Sequence, residues 1–171
     1  MALPREIRRL AFQILYEIDA RNGFDIEEIR TGLNENESLK PAEQERVFAL
    51  ATGAWEYRQE ADAAMLELAP DWPTHRQPAV DRTILRLAYY EMTRGGAAPK
   101  MVINEAVNLA KSFSTERSPS FVNALLDKIM KKLNAAGQIE QAAEPDVSDR
   151  PDETIQSEAL PQAEDLAQAE E

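Results

Sequence analysis

The sequence predicts an all-α domain followed by an acidic tail. Across positions 4–133, apolar residues recur at intervals of three and four, the period of a helix that buries one side. No stretch of this region combines alternating polarity with the turn residues that join paired strands. Prolines and glycines divide the pattern into about six or seven segments with short links, which favours one helical bundle or two packed subbundles.

The first half of the domain is predicted to contain three helices. The first covers about residues 4–20, because its apolar stripe ends before Asn22-Gly23, a pair typical of turns. A short second helix covers about residues 25–33. Pro41 suits the first turn of a long third helix, whose apolar stripe continues until Pro70 breaks it.

The second half is predicted to contain three more helices, after a turn or short helix at about residues 73–77. The first of these covers about residues 78–94 and ends at Gly95-Gly96, since glycine is favoured just beyond a helix end. Pro99 begins the next helix. Ser118-Pro119 provides an N-cap and a first-turn residue for the last helix.

The charge of the chain is distributed very unevenly. The formal net charge is −12, but residues 135–171 hold eleven carboxylates and one arginine, so this segment carries a net charge of −10. Residues 1–134 are therefore nearly balanced, at −2. The acidic segment also has too few apolar residues to offset the entropy lost on ordering. We therefore predict a folded domain at 1–134 and a disordered acidic tail at 135–171.

The composition excludes several classes of chemistry. The chain has no cysteine and one histidine, so disulfides, thiolate nucleophiles, cysteine metal sites and histidine clusters are excluded. No glycine pattern matches a dinucleotide-binding motif or a P-loop. No apolar run approaches the roughly 18 residues of a membrane span, and no secretory signal is present. We expect a cytoplasmic protein with no membrane contact, catalytic residue, cofactor, metal site or small-molecule substrate.

Helix one carries basic and aromatic side chains on one surface. Four of them project from the side opposite its apolar stripe, with Arg8 between the two sides: Arg5, Arg9, Phe12 and Tyr16. First-turn arginines face the positive end of the helix dipole, which disfavours them unless an anion compensates. The phosphates of a nucleic acid are one such anion. Pairing of the arginines with nearby carboxylates, with the rings packed on another helix, stays open as the alternative.

Two other regions carry charged or aromatic candidates. On the predicted helix 78–94, three residues share a narrow arc that indicates either a protein-docking face or ion pairs within the bundle: Arg82, Arg86 and Tyr89. Glu91 projects among apolar positions of the same helix, so we expect a paired or hydrogen-bonded carboxylate. Around the last loop, Phe113 and Phe121 fit the core pattern and are expected to be buried, although one near the loop mouth would be able to stack on an unpaired base.

Several motifs resemble one known family. The segment MVINEAVNLAKSF at residues 101–113, followed by FVNALLDK at residues 121–128, is similar to the last two helices of the NusB family of transcription antitermination factors. The segment VDRTILRL at residues 80–87 resembles that family's central stretch, and residues 5–16 resemble its basic opening helix. The resemblance covers residues 4–133 in order, and the acidic tail has no counterpart in the family pattern.

The resemblance implies both a fold and a function. The implied fold has seven helices in two subbundles. The implied function is binding of the boxA element in nascent ribosomal or phage transcripts, together with NusE, which is also a small-subunit ribosomal protein. The pair would join an antitermination complex on RNA polymerase. Glu6 interrupts the basic opening of this chain, so we expect tight RNA binding to require NusE and the charge of the last loop.

The resemblance also assigns contact residues. The expected RNA-binding positions, with Arg117 added because of its charge in the last loop, are Arg5, Arg8, Arg9, Lys111, Arg117 and Phe121. The positions expected to lie toward NusE are Tyr16, Asp81 and Glu91. Two alternatives remain from the sequence: a protein-only scaffold whose arginines form intramolecular pairs, and a stand-alone relative of the RNA-binding domain of RNA cytosine methyltransferases. The tail is expected either to solubilise the protein or to compete with RNA for the basic surface.

Overall fold

The computed structural model describes residues 4–139, so the predicted disorder of the acidic tail concerns residues that lie almost entirely outside the described range. Within 4–139 the chain forms seven α-helices and a short 3-10 helix, Thr74–Arg76. The α-helices are α1 (Arg5–Arg21), α2 (Ile26–Asn34), α3 (Pro41–Glu56), α4 (Arg58–Leu68), α5 (Ala79–Thr93), α6 (Pro99–Phe113) and α7 (Ser118–Ala135). The prediction of an all-α fold with seven helices is confirmed.

Local sequence explains where α1 ends and where α2 begins. The C-cap of α1 is Asn22, in the left-handed region at φ 56° and ψ 39°, a conformation that asparagine tolerates better than most residues. Gly23 N–H donates back to the carbonyl of Ile18 at 3.0 Å, which closes the helix end. Asp25 then caps α2, because its side chain accepts from the N–H groups of Glu27 and Glu28 at 2.8 and 3.2 Å.

The long third helix predicted from the sequence is wrong, because the helix is interrupted at Tyr57 (φ −90°, ψ 10°) and the segment forms α3 and α4 instead. The Tyr57 ring stacks on that of Tyr90 with centroids 5.9 Å apart. Beside it, the Arg58 guanidinium lies over the Trp55 ring at 3.8 Å and donates to the Trp55 carbonyl at 2.8 Å. These contacts hold the interruption, and a continuous apolar stripe does not reveal them.

Helix α5 is the centre of the fold. It packs against α1 and α3, which also pack on each other, and against α4, α6 and α7, where α7 packs on the other two, while α2 packs on α3. Two subbundles therefore meet along α5, as the sequence predicted. The largest buried side chains come from every part of this arrangement and include Leu15, Met65, Ile84 and Leu126. No helix within residues 4–139 is long and apolar enough to cross a membrane.

The direction of α1 fixes the position of its arginines. Near its start, Arg8 bonds Glu91 at the end of α5, and near its end Asp19 bonds Arg86 in the middle of α5. The two helices are therefore antiparallel. The first turn of α1 also meets α6, since Arg5 bonds Glu105 at 3.1 Å. This arrangement brings the basic start of α1 alongside the second half of α6.

Candidate nucleic-acid interface

A small open groove lies between the first turns of α1 and the second half of α6. Its volume is about 190 Å³. The residues that line it are Arg5, Arg8, Arg9, Glu105, Asn108, Leu109, Ser112 and Phe113. Three of the four arginines that the sequence assigned to RNA binding thus border one groove, and the Phe113 ring lines it as well.

Arg5 and Arg9 present their guanidinium groups to solvent. The Arg5 side chain is 76% exposed and bonds Glu105, while Arg9 bonds Glu6 at 2.6 Å on the surface of α1. Exposed ion pairs contribute about 0–1 kcal/mol, which describes Arg9–Glu6, whereas the Glu105 carboxylate is 12% exposed and also lies 4.0 Å from Arg8. Intramolecular pairing, the alternative left open by the sequence, is therefore present at both arginines, while their guanidinium groups remain at the surface.

Arg8 is placed differently from the prediction. Its side chain is 3% exposed and forms a two-pronged ion pair with Glu91, with N–O distances of 2.8 and 2.6 Å. Burial alone would lower the pKa of the Arg8 guanidinium, but its hydrogen bonds to Glu91 and the charges of Glu91 and Glu105 outweigh burial, so the pKa is raised. In the unbound protein the Arg8 guanidinium is thus paired with Glu91, and its contact with RNA stays a prediction.

Glu91, which was predicted to lie toward NusE, is 1% exposed in the unbound protein and lies beneath Arg8, so its contact with a partner stays a prediction. The expectation drawn from its apolar surroundings, that the carboxylate is paired, is confirmed. This buried pair fixes the first turns of α1 to the end of α5 and so holds the groove in shape.

The aromatic rings divide between the interior and the surface. Phe12, which was predicted to share the arginine surface, is buried, because its ring packs on Phe113 with centroids 5.1 Å apart. Phe113 was expected in the core but is 38% exposed at the edge of the groove. Tyr16 is 40% exposed on the other side of Phe12, at a centroid distance of 6.5 Å. Three rings thus form a continuous row from the groove to the neighbouring surface of α1.

Asp81 supports the loop between α6 and α7 from below. Its carboxylate accepts hydrogen bonds from the hydroxyls of Ser114 and Ser118, the latter at 2.9 Å. Asp81 is 3% exposed in the unbound protein, where it positions the loop, and its contact with NusE stays a prediction. Ser118 was predicted as the N-cap of α7, but Arg117 occupies that position, and the Ser118 hydroxyl is used by Asp81. The loop is thereby held against the first turn of α5.

The remaining predicted RNA-binding residues lie outside the groove. Lys111 and Arg117 are exposed, on the last turn of α6 and at the start of α7, and Phe121 is half-buried against the core. None of the three lines the groove. Asn108 and Ser112, which the sequence analysis did not select, do line it. Their spacing with Glu105 along α6, at three and four residues, is the signal that would have placed them on one face.

The three side chains that share a narrow arc on α5 form ion pairs and a hydrogen bond within the bundle. Arg86 donates to Asp62 and Asp19, and Arg82 also bonds Asp19. The Tyr89 hydroxyl donates to Glu60 at 3.0 Å, and burial together with Glu60 raises the pKa of Tyr89 to about 12. Of the two interpretations left open, ion pairing within the bundle is confirmed and a docking face is not.

Comparison with known sequences decides the family. The sequence pattern of the NusB family matches residues 5–131, about three quarters of the chain. The chain belongs to the NusB family. Among curated NusB proteins, the transcription antitermination protein of Herpetosiphon aurantiacus is 35% identical over 135 residues, which cover 77% of this chain and 92% of that protein. The transcription antitermination protein NusB of Streptomyces griseus is 41% identical over 130 residues, covering 74% and 90%.

Solved NusB structures share the fold. NusB from T. maritima superposes with a TM-score of 0.67 and 30% identity, covering 77% of this chain and 94% of that one. A structure of the antitermination factors NusB and NusE in complex with double-stranded RNA matches with a TM-score of 0.66 and 26% identity, covering 75% and 96%. The NusB fold predicted by the resemblance is confirmed.

Residues 4–139 contain no group of three or more histidine, aspartate or glutamate side chains placed to hold a metal.

Proposed function

We propose that this NusB protein is a transcription antitermination factor that binds boxA RNA of nascent ribosomal transcripts together with NusE, as part of an antitermination complex on RNA polymerase. The observation that carries the proposal is the groove, where two solvent-facing arginines stand beside an exposed phenylalanine. The relatives named as antitermination proteins, and the solved relative that holds NusE and RNA, support the same function. The protein acts as an adaptor in the cytoplasm and carries out no chemical step.

The groove divides the work of RNA binding between charge and stacking. Arg5 and Arg9 contact phosphates, which supply affinity without reading sequence. Phe113 offers a ring at the groove edge, and stacking of an unpaired base on such a ring contributes about 1–3 kcal/mol. Asn108 and Ser112 line the same groove and provide hydrogen-bonding groups to base edges. Lys111, Arg117 and Phe121 extend the surface beyond the groove.

The proposed contact with NusE lies next to this surface. Of the three residues assigned to it, only Tyr16 is exposed, and its ring is in contact with Phe12, which packs on Phe113. A partner that covers Tyr16 therefore lies against the same row of rings that borders the groove. RNA spanning the groove and the partner would gain contacts from both, so we expect tighter binding by the pair than by either protein alone.

The test is a salt titration of RNA binding with and without NusE. A labelled boxA single strand is titrated with the full chain, and the double variant Arg5→Ala/Arg9→Ala is compared with the control Arg46→Ala/Arg76→Ala, which removes two exposed arginines that do not line the groove. Each lost phosphate contact flattens the slope of log affinity against log salt by about 0.7. We expect a change of about 1.4 for the groove variant and none for the control.

Two further comparisons test base stacking and distinguish RNA binding from a protein-only scaffold. The duplex form of the same RNA tests stacking, because Phe113→Ala should weaken the single strand and leave the duplex unchanged if an unpaired base stacks on the ring. A protein-only scaffold predicts a slope and an affinity that are the same for both arginine variants, in the presence and in the absence of NusE. That result would overturn the proposed function.

A further inference from the structure

A second and larger groove lies on the opposite side of α1 from the arginines. It has a volume of about 820 Å³ and is enclosed by α1, α2 and the link between them, over residues 10–36. It shares no lining residue with the RNA-facing groove. Helix α1 therefore separates two surfaces, and the proposed function uses only one of them.

The floor of this groove is apolar. Four hydrophobic side chains pack on the core from their inner side and remain partly open to solvent on the outer side: Leu10, Ile14, Phe24 and Ile29. Below them Ile18 and Leu33 are fully buried. A concave apolar surface of this size has the character of a site that a partner covers.

The rim of the groove is acidic. Five carboxylates line it: Glu17, Asp25, Glu27, Glu28 and Glu35. Among the lining residues within positions 4–139, Arg21 is the one cation, and its guanidinium already bonds Glu28 at 2.7 Å. The groove thus combines an apolar floor with a negative rim, the pattern complementary to a positively charged amphipathic segment.

We propose that this groove binds the apolar face of a basic amphipathic helix from a partner protein. Along α1 the groove extends from Leu10 to Arg21, about 17 Å at the rise of an α-helix, which matches about three turns of an incoming helix. Leucine-like side chains at intervals of three and four fill the floor, while lysines or arginines on the flanks meet the carboxylates of the rim. The inference is independent of the RNA-binding function.

Charge complementarity favours a basic helix over two other possible occupants, a second copy of the chain and the acidic segment 135–171. A second copy placed groove to groove would bring the same acidic rim to the contact, and residues 135–171 carry a net charge of −10, so both are repelled. RNA phosphates are repelled for the same reason. A basic helix alone satisfies the floor and the rim together.

The test uses a designed peptide as the probe. A helical peptide of about 15 residues, with leucines at intervals of three and four and lysines elsewhere, is titrated into the full ¹⁵N-labelled chain, alongside the same peptide with glutamates in place of the lysines. We expect the lysine peptide to shift amide resonances within residues 10–36 and to bind at least about tenfold more tightly than the glutamate peptide.

Charge reversal at the rim provides the matched comparison. Glu17→Lys/Glu35→Lys changes two exposed rim residues, and a lysine at position 35 suits the C-terminal end of α2. We expect about tenfold weaker binding of the lysine peptide. The control Glu56→Lys/Asp71→Lys makes the same change in net charge at exposed positions outside the groove and should alter affinity less than about twofold. Thermal unfolding of both variants checks that the fold is intact.

Several results would overturn the proposal. Equal binding of the two peptides, an equal effect of the two charge-reversal variants, or resonance shifts that map outside residues 10–36 each exclude a basic helix in this groove. Self-association that Glu17→Lys/Glu35→Lys changes and the control does not would assign the groove to a second copy. Shifts in the link and α2, residues 23–36, on addition of boxA RNA would assign it to nucleic acid.

Discussion

Arg8 and Arg9 are neighbours in α1, yet they belong to two different parts of the molecule. Arg8 is buried in a two-pronged pair with Glu91, whereas Arg9 is half-exposed and bonds Glu6 one turn away. A rotation of about 100° around one helix therefore separates an arginine that holds the fold from one that we propose contacts a ligand. The buried contact is costly to break from one side, while the exposed contact is cheap to exchange for a phosphate.

The largest expected effect comes from breaking the buried pair on one side. Glu91→Gln leaves the Arg8 guanidinium charged and without its carboxylate, and the nearest other acid, Glu105, lies 4.0 Å away. We expect the free energy of unfolding to fall by about 3–5 kcal/mol, measured by urea denaturation.

The control removes both charges at once. Arg8→Met/Glu91→Leu replaces the pair by apolar side chains of similar size, and such replacements are often neutral or stabilising. We expect the double variant to recover most of the stability lost in Glu91→Gln. A double variant as unstable as the single one would show that the site depends on packing and not on an uncompensated charge.

The second-largest effect is expected from the titration of Tyr89, another polar side chain whose hydrogen bond lies inside the bundle. Burial and Glu60 raise the pKa of Tyr89 to about 12 in the folded protein, against 10.0 for an unperturbed tyrosine. The folded state therefore keeps the phenolic proton at a pH where the unfolded chain releases it. The stabilisation is complete below pH 10 and is lost as the pH rises toward 12, by about 2 kcal/mol.

The measurement is urea denaturation of the wild type and Tyr89→Phe between about pH 9 and 12. Other groups that titrate in this range affect both proteins, so the difference between the two curves isolates Tyr89. We expect the difference to shrink as the pH rises. Parallel curves throughout the range would show that the Tyr89 hydroxyl titrates in the folded state as it does in the unfolded chain.

Periodicity predicted the helices well because each one buries a single stripe, and prolines and glycines mark most of the ends. The interruption at Tyr57 was missed because the buried stripe continues across it, and the contacts that hold it come from Tyr90, far away in sequence. Local patterns predict what a segment can form. They do not show which distant residue interrupts it.

Sequence patterns have the same limit at the candidate RNA-binding groove. Arg8 lies at the border of the apolar stripe, and only the position of Glu91 across the bundle decides that it is buried. Phe113 fits the core period, but α6 ends at that residue, so its ring lies at the edge of the packed region and remains exposed. Residue types and spacing pointed to the two helices that border the groove, while tertiary contacts decide which side chains reach its surface.

The smallest expected effect on stability comes from replacing the two solvent-facing arginines of α1. Arg5→Ala and Arg9→Ala each remove an exposed ion pair, and both guanidinium groups lie near the positive end of the α1 dipole. We expect the free energy of unfolding to change by no more than about 0.5 kcal/mol for either variant, in the same urea experiment as Glu91→Gln. A loss above about 1 kcal/mol would mean that these pairs hold α1 in place. A change within the expected range, together with a flatter salt dependence of RNA binding, would separate ligand contact from folding at adjacent positions of one helix.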